Sequence, residues 1–244
     1  MNARSIMYHD VVENGDFESS GFPGEGAHIY KVSRQDFERH LDAIARQDVM
    51  LTFDDGGASF LHPIADLLDA RGLRGYFFIT TDRIGTPGFL NAEGVRELHR
   101  RGHVVGSHSA SHPTRMAALS RPELDREWRV SLDCLSALVG ERVTAASVPG
   151  GYYSREVGRS AAAAGILKLF TSQPTSRVTQ FDRCFVYGRY VVQRGMGPEW
   201  PAGFASGNPA YCLRQAAWWK LKQVAKAVGG RAYLKARVAI LDKR

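Results

Sequence analysis

An α/β fold with about seven parallel strands, closed as a barrel or left as an incomplete one, follows from three features of the sequence. Short apolar runs alternate with helical stretches from Ile6 to Val192. Glycines stand where the helices should stop, at Gly72, Gly102 and Gly140. Polar clusters follow the apolar runs, as they do in α/β folds that place their chemistry at the C-terminal ends of the strands.

The elements follow in order. Ile6-Met7-Tyr8 reads as a strand ending at His9-Asp10, and residues from Glu13 to Gly26 read as a glycine-rich, acidic loop. Ser33 is a helix N-cap with Phe37, Leu41, Ile44 and Ala45 at helical spacing behind it. Val49, Leu51 and Phe53 form the next strand, and Pro63 to Arg71 a helix. Strand Gly75–Ile79, helix Ala92–Arg101 and strand His103–Ser107 continue the rhythm. Ser120-Arg121-Pro122-Glu123 opens a helix running towards Leu138, with Ser, Pro and Glu in capping positions. Strands Val143–Val148, Leu167–Thr171 and Phe185–Val192, and a helix Arg155–Ala164, complete the pattern.

A chain of 244 residues, 44% hydrophobic and 23% charged, suits one large domain, here residues 1–208, with an appendage at 209–244. The net charge of +7 is concentrated in that appendage. From Pro209 onward nine Lys or Arg face one acid, Asp242, which leaves 23 basic and 24 acidic residues in the body. A neutral body gives no reason to expect nucleic-acid binding. Cys134, Cys184 and Cys212 are odd in number and widely spaced, so reduced thiols are expected rather than a disulfide framework or a cysteine zinc site. No export segment and no run of about 18 apolar residues is evident, and a cytoplasmic location is expected.

The chemistry concentrates at three strand ends. Thr52-Phe53-Asp54-Asp55-Gly56-Gly57 stops an apolar strand at two adjacent carboxylates, which cannot both ionise comfortably in a partly dry pocket without a cation or a shared proton. His108-Ser109-Ala110-Ser111-His112 follows another strand, and two histidines at i and i+4 project to one side if the turn between them is helical. One carboxylate of the pair with both imidazoles gives a donor set suited to Zn²⁺, with Co, Ni or Mn as alternatives, rather than to Mg²⁺ or Ca²⁺. Asp-Asp-Gly alone is a common turn and His-x-x-x-His a common surface spacing; their placement at neighbouring strand ends is what points to a site. At the third strand end, Pro149-Gly150-Gly151-Tyr152-Tyr153 brings glycines whose backbone N–H groups can approach a reacting oxygen, and tyrosines able to stack on a sugar.

Thr52-Phe53-Asp54-Asp55-Gly56 followed by the His108 and His112 motif resembles the first two motifs of the polysaccharide deacetylases, the NodB-homology proteins of carbohydrate esterase family 4. The resemblance in element order covers roughly Ser5 to Val192 and implies a distorted (β/α) barrel. It implies that Asp54 is the general base, that Asp55, His108 and His112 are the metal ligands, and that the Gly150 N–H holds the oxyanion. The expected activity is metal-dependent hydrolysis of an N-acetyl or similar small acyl group on an amino sugar of a polysaccharide or glycan precursor. A carbohydrate-binding or scaffold member without turnover, and a hydrolase of a non-sugar amide, are the alternatives.

Two departures accompany the resemblance. Where the family's third motif carries an arginine that pairs with the base, this chain has Ser147. Arg189, in Tyr187-Gly188-Arg189-Tyr190, is a candidate to replace it or, with Tyr152 and Tyr153, to bind substrate; a plain structural arginine is the competing reading. The family's late Leu-x-His motif is absent, since His112 is the last histidine. His9 is the candidate to protonate the leaving amine, with His28 behind it.

In the appendage Trp218, Leu221, Ala225 and Val228 share a helical face, and Lys220, Lys222 and Lys226 occupy others. Packing on the domain is the expected role. The alternative is contact with anionic lipid at the inner face of a membrane, which would serve a lipid-linked substrate.

Overall fold

The computed structural model describes residues 1–13 and 15–223. Its strands are β1 (Ser5–Tyr8), β2 (Val11–Val12), β3 (Val32–Ser33), β4 (Met50–Phe53), β5 (Gly75–Ile79), β6 (Val104–Ser107), β7 (Ala145–Ser147), β8 (Lys168–Phe170), β9 (Thr179–Phe181), β10 (Cys184–Tyr187) and β11 (Tyr190–Val191). Nine of them form one curled sheet in the order β11-β1-β4-β5-β6-β7-β8-β10-β9, while β2 and β3 pair separately. Every neighbour in the large sheet is parallel except the edge pair β9/β10. The result is a half-barrel wrapped by α1 (Glu25–His28), α2 (Arg34–Ile44), α3 (Asp66–Asp69), α4 (Ala92–Arg100), α5 (Arg121–Val139), α6 (Arg155–Ala163) and α7 (Glu199–Ser206).

Both faces of the sheet are covered, which is why β5 reads as an unbroken apolar run rather than an alternating one. Leu51, Phe53 and Phe77 face the helices among Tyr8, Phe37, Phe60 and Leu68, with the Phe53 and Phe77 rings stacked at 4.9 Å. Phe78, Ala145 and Phe170 pack together on the other face. The helices are terminated as the sequence suggests. Ser120 and Glu123 form a capping box at the start of α5, and Gly140 ends it in the left-handed conformation at φ 78°.

The helix expected from Pro63 to Arg71 is formed by a π-helical turn, Leu61–Ala65, that runs directly into α3. Two other elements differ from expectation. The His108 to His112 segment is a loop rather than a helical turn, with Ser109 and His112 both in the left-handed region. The last expected strand, Phe185–Val192, is two strands that belong to distant parts of the sheet: β10 pairs with β8, and β11 with β1. The chain turns between them at Gly188, whose carbonyl accepts a 2.6 Å hydrogen bond from the Ser5 hydroxyl. A Cβ at Gly188 would stand 2.4 Å from the Thr175 carbonyl oxygen and 2.5 Å from that of Gln173. Only glycine fits that passage, and the next residue, Arg189, is carried into the interior.

Candidate active site

The C-terminal ends of β1, β4, β6 and β7 open into a cleft of about 530 Å³ lined in part by His9, Asp54, Asp55, His108, His112 and Gly150. Asp54 follows β4 directly and is 3% exposed. Alternation along the strand puts Thr52 and Asp54 on the same side as Arg189, away from Leu51 and Phe53.

Arg189 uses all five of its N–H donors inside the protein. Nη1 and Nη2 donate to the two Asp54 carboxylate oxygens at 2.7 Å each, in a fork geometry. The remaining bonds go to Thr52 Oγ1 at 3.1 Å, Ser147 Oγ at 2.7 Å and the Thr171 carbonyl at 3.1 Å. Ser147 in turn donates to Asp54 Oδ2 at 3.1 Å. The guanidinium also lies over the Phe78 and Phe170 rings, 5.7 and 5.9 Å from their centroids. Burial pushes Asp54 upward, but the Arg189 guanidinium and the His108 and His9 imidazoles outweigh it and hold the carboxyl below its ordinary range. Arg189 borders the cleft, but its side chain has no exposed surface and its donors are engaged, which favours orienting Asp54 over contact with substrate.

Asp55 adopts φ 89°, and both carboxylates approach His108, whose Nε2 lies 4.0 Å from Asp54 Oδ2. Its Oδ1 stands 3.3 Å from His108 Nε2 and 3.4 Å from His112 Nε2. One ligand atom from each of the three residues lies within 4.8 Å of the others, the one such cluster of three or more among the described residues. His108 Nδ1 stands 3.1 Å from the Ser147 carbonyl. Donation there keeps the proton on Nδ1 and leaves the Nε2 lone pair facing the cluster, as metal-ligating histidines require. The donor set of two imidazoles and one carboxylate, buried at Asp55 and His108 and half-buried at His112, thus fits a divalent transition metal. Burial raises Asp55, but its close approach to the His108 and His112 imidazoles brings it well below its ordinary value. His112 moves upward against its own burial through the same contact.

The loop carrying the histidines is held from α5. Glu127 accepts from the Ala110 and Ser111 amides at 3.0 and 2.9 Å and from the Ser111 hydroxyl at 2.7 Å. Ser109 Oγ accepts from the His112 amide at 3.1 Å. These bonds compensate for the two left-handed residues and bring the imidazole centroids to 5.0 Å.

His9 lines the cleft, stacked 4.7 Å from Tyr30, and its Nδ1 is buried with no hydrogen-bond partner among the described residues. His28 does not line the cleft; Glu18 at 2.6 Å and Glu25 at 3.4 Å hold it. Gly150 lines the cleft in the left-handed region at φ 66°. Tyr152 and Tyr153 border a smaller adjoining cavity of about 100 Å³ rather than the main cleft. The Arg115 guanidinium lies 5.2 Å from the Tyr152 ring, and the Tyr153 hydroxyl is buried against Gly158.

Sequence reasoning missed several parts of the wall. Asp10, 1% exposed, accepts from Ser20 Oγ at 2.5 Å and Ser59 Oγ at 2.9 Å, and burial raises its pKa. Lys31, equally buried, donates to the Phe17 carbonyl. Phe22 packs 4.8 Å from His112. Only the adjacency of Asp10 to His9 offered a signal; Ser20 and Phe22 come from the segment Glu13 to Gly26 read as loop, and Lys31 and Ser59 lie in no motif. The helical segment 209–223 supplies Trp219, Lys222 and Gln223 to the cleft. It is docked through Gln215, whose amide exchanges two hydrogen bonds with the Val191 backbone at 2.9 and 2.7 Å. Trp218 and Leu221 stay exposed, and Ala225, Lys226 and Val228 lie outside the described residues.

The family model described as polysaccharide deacetylase matches residues 43–168, just over half of the chain. A chitin deacetylase of Arthroderma benhamiae is 29% identical over 115 residues, which span 47% of this chain and 30% of that one. The chain thus spans about a third of the length of that relative. Among solved structures, a polysaccharide deacetylase from Bacillus cereus matches with a TM-score of 0.71 at 17% identity, covering 84% of this chain and 69% of that one. A Streptococcus pyogenes deacetylase in complex with acetate matches with a TM-score of 0.65 at 17% identity, covering 82% and 96%. At these identities the two structures speak for the half-barrel fold.

Proposed function

The chain belongs to the polysaccharide deacetylase family, and from that premise we propose that it hydrolyses an N-acetyl or similar small acyl group from an amino sugar, with a divalent metal held by Asp55, His108 and His112. The observation that carries the reading is the pairing of an ionised carboxylate locked by Arg189 with an adjacent three-ligand cluster in one cleft.

Each residue has a task within this reaction. When bound, the metal supplies Lewis-acid polarisation of the acyl oxygen and of the attacking water. Asp54, deprotonated and fixed in plane, accepts the proton that water gives up as its oxygen attacks the acyl carbon. The Gly150 N–H donates to the oxygen on which negative charge develops. As the C–N bond breaks, a proton goes to the departing nitrogen, and its delivery is assigned to His9, which lines the cleft outside the ligand set. The products are a carboxylate and a free amine, so no oxidant or further co-reactant is needed. Arg189 acts through Asp54 as a positioning residue, in the role the family gives to the arginine that Ser147 replaces.

The test is acetate release from N-acetylated amino-sugar oligomers before and after chelation. Activity should vanish with the chelator and return with Zn²⁺ or Co²⁺. Acetate release that is indifferent to chelation would refute the metal assignment.

A further inference from the structure

An apolar groove of about 530 Å³ runs from the cleft between the helical segment 209–223 and the turn after β11. Met196, Trp200, Trp218, Trp219 and Leu221 supply its apolar lining. Its volume lies within the range of built ligand sites. Two facts say what it takes. It is continuous with the cleft, because Ser172, Val191, Trp219 and Lys222 line both. None of its lining residues is acidic among the described residues, whereas Arg214 lies over the Trp200 ring at 4.9 Å and Lys222 stands at the junction, 5.5 Å from the Trp218 ring.

Resting on the deacetylase reading above, the geometry points to an amphiphilic substrate: an N-acylated amino sugar joined through phosphate to a long apolar chain. The sugar occupies the cleft, the phosphate meets Lys222, and the chain lies along the groove. The order of surfaces, polar cleft then cation then apolar trough, matches the order of groups in such a glycolipid. A free water-soluble polymer would leave Trp218 and Leu221, 55% and 59% exposed, without a task.

Binding tests this independently of turnover, using the full chain and hexyl, octyl and decyl phosphate below their micelle concentrations. Three of the four tryptophans line the groove, so intrinsic fluorescence reports occupancy. Saturable binding is expected, tightening about fourfold per added methylene, with no competition from inorganic phosphate at the same concentration. Leu221→Asp and Met196→Asp should each weaken octyl phosphate binding by about tenfold or more. Leu213→Asp, exposed outside the groove, should not. Lys222→Gln should cut the preference for octyl phosphate over octanol by about tenfold. Absence of saturable binding, indifference to the two groove substitutions, an equal effect of Leu213→Asp, or an unchanged preference in Lys222→Gln overturns the proposal. The deacetylase reading stands or falls separately, on acetate release from soluble sugars.

Discussion

Arg189 and Asp54 are 135 residues apart, yet each completes the other's hydrogen bonding in a site with almost no solvent. Breaking such a pair leaves one charge buried alone, which costs about 3–5 kcal/mol. Arg189→Ser should therefore lower the melting temperature and cut turnover by about a hundredfold, because the base is both unpinned and harder to ionise. Ser147 donates to the same Asp54 oxygen, so an arginine placed there can reach the carboxylate from the opposite wall. The double variant Ser147→Arg with Arg189→Ser should regain at least about tenfold of the lost activity. No gain over the single variant in melting or turnover would remove Arg189 from the positioning role. Asp54, Asp55, His108 and His112 were legible because each pair is a short motif at a strand end. The Arg189 fork was not, because it depends on Gly188 turning the chain between two strands that a linear pattern reads as one.

At the scale of elements, the loop carrying His108 and His112 depends on a helix that contributes no residue to the cluster. Glu127 of α5 collects two amides and a hydroxyl from residues 110 and 111, which fixes a loop with two left-handed residues. Supporting groups of this kind are worth about 10–100-fold in metal affinity. Glu127→Ala should weaken Zn²⁺ binding by that factor in a competition titration while the far-ultraviolet circular dichroism stays that of a folded chain; unchanged affinity would make Glu127 merely a cap. The histidine spacing was legible, but the helical turn assumed between the imidazoles was not what joins them. The capping box and the Gly140 stop of α5 were legible because capping is local chemistry. Asp10 and Lys31 were hidden, because burial of charged residues beside a glycine-rich loop has no periodic signature.

At the scale of the whole molecule, the half-barrel followed from strand and helix alternation, and its curl from the split of the last strand across the sheet. Its stability should carry an acid-sensitive histidine away from the cleft. His103 is 2% exposed; its Nδ1 accepts from the Gly75 amide at 3.3 Å, and Nε2 lies 3.4 Å from Asp69. Burial pushes its pKa down to about 4, against the pull of Asp69. The unfolded chain takes up this proton near pH 6.5, and the folded chain only near 4. Nothing is lost above 6.5. Between 6.5 and 4 the unfolded state holds more protons, and up to about 3 kcal/mol of stability disappears as pH falls. His103→Gln should flatten that part of the profile of melting temperature against pH, and parallel profiles would rule the contribution out. The central claim is the division of labour between two adjacent carboxylates in one hydrolase, and metal content measured beside acetate release tests it most directly. Asp54→Asn should keep its metal and lose turnover by about a hundredfold or more, while Asp55→Asn should lose the metal itself. An Asp54→Asn protein that still releases acetate with metal bound, or an Asp55→Asn protein with its full metal content, would contradict the account.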